Sequence, residues 1–190
     1  MTQRIVIFAS GGGSNAQNII EYFKSSGEAL VVQVLTNKKD AKVLDKCKTL
    51  DVPGFVFDKE FLNDPKKMGQ HLKELAPDLI VLAGFLLKFP DYLVQAYPSQ
   101  IINIHPALLP AYGGKGMYGS HVHEAVVANN ETYSGITIHY VNEHYDEGGI
   151  IFQAKVSLEA SDTAADVAKK IHELEQKHFP SVIESLLLQR

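Results

Sequence analysis

The chain has no tryptophan and a single cysteine, and it contains no apolar run of membrane-spanning length. Each absence excludes a class of protein. Cys47 alone can neither close an internal disulfide nor build a cysteine-based zinc site, which excludes a disulfide-stapled secreted scaffold and points to a reducing, cytoplasmic setting. No apolar stretch approaches the ~18 residues that a membrane span requires. The first apolar segment is cut short by Gly11, too early for a secretory leader. Neither sign of charge dominates: 18 basic against 22 acidic residues give a net charge of -4, with no global pull toward nucleic acid. The 190 residues are 45% hydrophobic and 21% charged, ordinary globular values, and lack repeats, low-complexity tracts and linkers. One domain over 1–190 is expected.

What is present is a rhythm of short apolar runs and amphipathic segments. Residues 5–9, 29–35, 54–57, 79–83 and 101–104 are strand-length and mainly apolar, interrupted only by Gln33 and Asn103. Between them Ile19, Ile20 and Phe23, then Val43, Leu44 and Cys47, then Met68, Leu72 and Leu75 recur at helical spacing. Pro90 opens a short helix reaching Tyr97. Mainly apolar strands alternating with helices predict an α/β fold with a doubly wound, mostly parallel sheet. Ligands of such sheets lie beyond the carboxyl ends of the strands, here residues 11–15, 84–89 and 103–110. In the second half Ile136, Ile138 and Tyr140 alternate with polar positions, and residues 150–156 follow the turn Asp146-Glu147-Gly148-Gly149, predicting an antiparallel extension of the sheet. A last helix is expected, capped by Ser161 or Asp162 and striped by Val167, Ile171 and Leu174, with Pro180 kinking or restarting it.

Three constellations carry possible chemistry. Gly11-x-Gly13-x-x-Ala16 follows the first strand and fits a permissive dinucleotide fingerprint. The acidic residue that should end the second strand is replaced by Thr36-Asn37-Lys38-Lys39, which weakens that reading. A nest of backbone N–H groups for an anion, aided by the side chains of Ser14 and Asn15, fits the same residues, as does a plain tight turn. Asn103 and His105, two apart on a strand that Pro106 ends, project to one side at the crevice. An amide donor beside an imidazole suits a carbonyl that develops negative charge; a histidine merely packed at a strand end is the alternative. Asp146 lies on a glycine-rich turn, where it either meets His105 and favours the imidazolium or serves its own turn. His121, His123, His139 and His144 lack cysteine partners and a His-Glu-x-x-His helix, so supporting or surface roles are expected rather than a metal site.

Gly13-Ser14-Asn15, Leu82-Ala83-Gly84-Phe85, the string Asn103-Ile104-His105-Pro106-Ala107-Leu108-Leu109-Pro110, and Asp146 before Gly148-Gly149 together resemble the phosphoribosylglycinamide formyltransferases. The resemblance runs from the first strand to Pro180. It implies a Rossmann-like formyltransferase fold, 10-formyltetrahydrofolate as co-substrate, no metal, and transfer of a formyl group to the amine of 5-phosphoribosylglycinamide in purine biosynthesis. It further implies that Asn103 and His105 stabilise the tetrahedral intermediate, with His105 as general acid and Asp146 supporting it. Gly12, Gly13, Ser14 and Asn15 would hold the substrate phosphate and Glu175 the ribose hydroxyls. Leu86, Leu87, Lys88 and Phe89, with Asn103, would line the formyl-folate pocket. The chain departs from the family pattern at Leu87 and Ala107, where Arg and Ser are usual, and in a longer loop over 113–119. The expected partners are small molecules, not nucleic acid or membrane, for a monomer or homodimer. Transfer to another amine, such as an aminoacyl-tRNA or an amino sugar, and a non-catalytic nucleotide-binding module are the alternatives; the length leaves no room for the extra domains expected of tRNA-acting or hydrolytic relatives.

Overall fold

A computed structural model describes residues 2–189. Among these, seven strands form one sheet in the order β3-β2-β1-β4-β5-β6-β7. The strands are β1 (Gln3–Phe8), β2 (Ala29–Thr36), β3 (Gly54–Val56), β4 (Leu79–Leu82), β5 (Ile101–His105), β6 (Tyr133–Tyr140) and β7 (Ile150–Ser157). Strands β1 to β5 pair in parallel, and β5, β6 and β7 pair antiparallel. The expected parallel half and its antiparallel extension are both present.

Alternation along the strands sorts the apolar residues between two layers. Ile5, Ile7, Val81, Ile102 and Ile104 face a core closed by α1 (Ser14–Ser26), α2 (Val43–Thr49), α6 (Ser120–Ala128) and α7 (Ala164–Leu188). Val6, Phe8, Ile80, Leu82 and Ile101 face the other core, covered by α3 (Lys59–Asn63), α4 (Gln70–Leu75) and α5 (Asp91–Ala96). Phe8 anchors this second layer, with the rings of Phe57, Phe85 and Phe89 edge-on at 5.8, 5.4 and 5.2 Å. All four residues of β4 are buried, which is why that segment reads as continuously apolar.

Three local expectations are corrected, and one helix, α6, is not foreshadowed by the sequence. The face of Met68, Leu72 and Leu75 is not one helix: Pro65–Gly69 forms a π-helical turn leading into α4, with Asp64 accepting from Lys66 N at 2.8 Å. Helix α6 carries too little apolar periodicity to stand out beside the glycine-rich loop before it. Thr163, rather than Ser161 or Asp162, caps α7, because its hydroxyl and the Asp166 carboxylate form a reciprocal capping box. Pro180 does not restart the helix, which runs unbroken from Ala164 to Leu188. Proline leaves the carbonyl four residues earlier without its helical donor. That carbonyl, of Gln176, accepts instead from Asn18 Nδ2 on α1 at 2.8 Å.

Candidate active site

Strand order reverses between β1 and β4, and the crevice expected at such a switch point is there. A cavity of about 420 Å³ opens over the carboxyl ends of β1, β4 and β5. Its walls come from the glycine turn after β1, residues 82–89 after β4, the end of β5, the loop before α6, the turn before β7, and one face of α7.

The glycine turn is shaped by packing. Gly13 has φ +69° and caps α1, and a Cβ there would lie 2.6 Å from Val43 Cβ, so only glycine fits. The first turn of α1 carries Ser14, Asn15 and Ala16 without an acidic side chain, leaving a helix N-terminus suited to an anion. The Asn15 side chain is tied to α7. Its Nδ2 donates to Glu175 Oε2 at 3.0 Å and its Oδ1 accepts from Gln176 Nε2 at 3.0 Å. The bond ties the glycine turn to Glu175. Burial raises the pKa of that carboxyl, against the lowering effects of Asn15 and of His172, whose Nδ1 lies 3.7 Å away.

Buried Ser10 joins the glycine turn to the wall after β4. Its hydroxyl donates to Asn37 Oδ1 at 2.6 Å and accepts from Leu86 N at 3.0 Å, while its N–H donates to Gly84 O at 3.0 Å. Asn37, standing where a dinucleotide fold has its ribose-binding acid, is thus a structural partner. Leu86, Leu87, Lys88 and Phe89 all border the cavity; Phe89 is buried and the Lys88 ammonium pairs with Asp91 at 2.8 Å.

Asn103 and His105 share a face of β5 and line the same cavity, as their spacing predicts. The turn before β7 brings Asp146 to them, with Oδ2 3.6 Å from His105 Nδ1 and Oδ1 3.7 Å from His139 Nε2. His105 is 3% and His139 2% exposed, so this carboxylate sits between two buried imidazoles. Asp146 adopts φ +56°, an uncommon backbone conformation that aspartate tolerates better than most residues, and accepts from Gly114 N at 2.9 Å. His105 Nε2 meets the Tyr112 carbonyl at 2.7 Å. Behind this group Thr137 donates to Ala107 O at 2.7 Å and accepts from Leu109 N at 2.9 Å, fixing the segment that leaves β5.

His139, for which the sequence suggests a supporting or surface role, supports Asn103, a pairing that the sequence does not reveal. It faces Asn103 in the β5–β6 register, with Asn103 Nδ2 3.1 Å from its Nε2. His139 Nδ1 lies 2.8 Å from Tyr140 O, which can only accept, so Nδ1 carries the proton and Nε2 accepts from Asn103. Burial foremost holds the His139 pKa below its ordinary value, outweighing Tyr140 and Asp146. His123 also borders the cavity, buried, with no hydrogen-bond partner for Nδ1 among the described residues; burial and the proximity of His105 lower its pKa. Among the described residues no group of three or more His, Cys, Asp or Glu is spaced to hold a metal ion, and no helix is long and apolar enough to cross a membrane.

A glycine turn at a helix N-terminus, an amide and an imidazole on one strand end, and a carboxylate beside the imidazole line one crevice of a doubly wound sheet, the arrangement of a group-transfer enzyme. The chain belongs to the formyl transferase family, whose model matches residues 3–183. It is 40% identical to a chloroplastic phosphoribosylglycinamide formyltransferase of Arabidopsis thaliana, over 99% of this chain and 66% of that protein, so it spans just under two thirds of the plant relative. It is 35% identical to the phosphoribosylglycinamide formyltransferase of Bacillus subtilis, over 97% of this chain and 95% of that protein. The crystal structure of the Anaplasma phagocytophilum phosphoribosylglycinamide formyltransferase superposes with a TM-score of 0.90 at 30% identity, covering 99% of this chain and 88% of that one.

Proposed function

We propose that the chain transfers the formyl group of 10-formyltetrahydrofolate to the amine of 5-phosphoribosylglycinamide, releasing tetrahydrofolate and the N-formyl product in purine biosynthesis. The observation that carries this reading is one cavity joining Asn103, His105 and Asp146 to the glycine turn and Glu175. The relatives named above, phosphoribosylglycinamide formyltransferases, support the same reading.

In this reading the acceptor phosphate rests on the backbone N–H groups of Gly12 to Asn15, with Ser14 adding its hydroxyl, and Glu175 accepts from the ribose hydroxyls. The residues from Leu86 to Phe89 border the folate. The amine attacks the formyl carbon, forming a C–N bond and driving negative charge onto the carbonyl oxygen. Asn103 keeps an amide hydrogen free of His139 for that oxygen, and protonated His105 donates beside it. Collapse breaks the bond to folate N10 as a proton passes from the attacking amine to N10. Asp146 stabilises the imidazolium and orders the water that relays this proton. We assign the reaction to the cytoplasm, in keeping with a buried, free Cys47.

Transfer to a different amine is the second reading, and the anion nest and Glu175 favour the phosphoribosyl acceptor over it. Acceptor discrimination tests the choice: kcat/KM should fall at least ~10²-fold for the dephosphorylated nucleoside, which forfeits the nest. Equal use of both, or faster turnover of an amino sugar or aminoacyl-tRNA, would overturn the assignment.

A further inference from the structure

After β5 the chain doubles back and lays the carbonyl of Tyr112 on the imidazole of His105, 2.7 Å from Nε2. A carbonyl oxygen only accepts, so Nε2 carries a proton in every charge state of the ring that keeps this contact. The other nitrogen, Nδ1, faces Asp146. Tyr112 has φ +57°, a conformation that a bulky side chain holds only where its surroundings impose it. Those surroundings are visible. The Tyr112 hydroxyl donates to Glu131 Oε1 at 2.7 Å and accepts from Asn129 Nδ2 at 3.0 Å, both residues lying just beyond the end of α6. Two residues on, Gly114 N donates to Asp146 Oδ2 at 2.9 Å. The segment 112–114 thus clasps both members of the His105–Asp146 pair.

We propose that Tyr112 is a positioning residue: its carbonyl holds His105 as the Nε2–H imidazole, leaving Nδ1 to gain and lose the proton, and its hydroxyl, clamped by Glu131 and Asn129, keeps that carbonyl in place. The consequence for turnover rests on the formyl-transfer reading, whereas the tautomer does not. The nitrogen that exchanges a proton during the reaction is the one beside Asp146, and the nitrogen pointing at the loop is a fixed donor. Tyr112→Phe keeps the ring packed but removes the anchor. The carbonyl then drifts, and neutral His105 divides between two tautomers.

The test combines 15N-histidine NMR with steady-state kinetics, the His105 signals being assigned by their loss in His105→Asn. At alkaline pH the wild-type ring should show a protonated Nε2 and a bare Nδ1, and in Tyr112→Phe both shifts should move toward averaged values. Tyr112→Phe and Glu131→Ala should lower kcat about tenfold with KM for both substrates within about twofold, while Glu131→Gln, which still accepts from the hydroxyl, should restore most of the rate. A wild-type ring with bare Nε2 or mixed tautomers overturns the proposal. So does a folded Tyr112→Phe variant with unchanged spectrum and kcat. A wild-type Nε2–H spectrum that averages in Tyr112→Phe, in a protein that transfers no formyl group, upholds the positioning role and rejects the activity.

Discussion

Asn103 Nδ2 lies 3.1 Å from His139 Nε2, across directly paired positions of β5 and β6. Because His139 Nδ1 donates to Tyr140 O and burial keeps the ring from charging, Nε2 stays an acceptor at neutral pH. Asn103 is therefore oriented by spending one amide hydrogen on the neighbouring strand. His139→Ala should lower kcat by about 10- to 10²-fold with smaller changes in KM, since misplaced amides lose oxyanion stabilisation rather than ground-state binding. Steady-state kinetics reads this directly, and a kcat within twofold of wild type would show that Asn103 needs no such partner.

Asp146 is tested by an isosteric change. In Asp146→Asn the side-chain carbonyl still accepts from Gly114 N, so the loop stays tethered while the charge beside His105 is lost. The expected result is a kcat lower by about 10²-fold or more with urea unfolding close to wild type. Near-normal turnover would remove the carboxylate from the mechanism.

Gly13→Ala places a methyl 2.6 Å from Val43 Cβ at a φ of +69°. Overpacking and left-handed strain together should cost about 2–4 kcal/mol in urea unfolding. Adding Val43→Ala should recover only part of that, because the Cβ at position 43 remains. A loss below about 0.5 kcal/mol would mean that the turn relaxes freely and that the nest is not rigid.

Glu175 gives a prediction with a definite sign. Its folded pKa is raised above the ordinary 4.5 by burial, so the folded state holds the proton more tightly than the unfolded chain does. The resulting stabilisation is complete below pH 4.5 and is lost as pH rises through the higher folded value. At neutral pH the buried carboxylate therefore weakens the fold. Glu175→Gln, still able to accept from Asn15, should resist urea better than wild type at neutral pH, with the advantage shrinking under acid conditions. Its KM for the phosphoribosyl substrate should rise. A variant less stable than wild type at neutral pH would contradict this.

The legible parts of the fold were those in which local pattern and environment agree. Strand β4 and residues 5–8 of β1 are buried on both faces because helices cover both faces, and that registers as uninterrupted hydrophobic runs. Asn103 and His105 were readable because period two is a local rule and Pro106 marks the strand end. His139 was not, since its relation to Asn103 depends on a pairing of residues 36 apart in the chain. The commitment of the Asn15 side chain to α7, and the donor from Asn18 that lets Pro180 stay inside a helix, are equally contacts between distant segments. Short-range periodicity carries no trace of them.

Formyl transfer itself is directly measurable. Purified protein mixed with 10-formyltetrahydrofolate and 5-phosphoribosylglycinamide should form tetrahydrofolate and N-formyl product in equal amounts, and His105→Ala should cut kcat by about 10²-fold or more. No tetrahydrofolate above the enzyme-free background from folded wild-type protein would contradict the account.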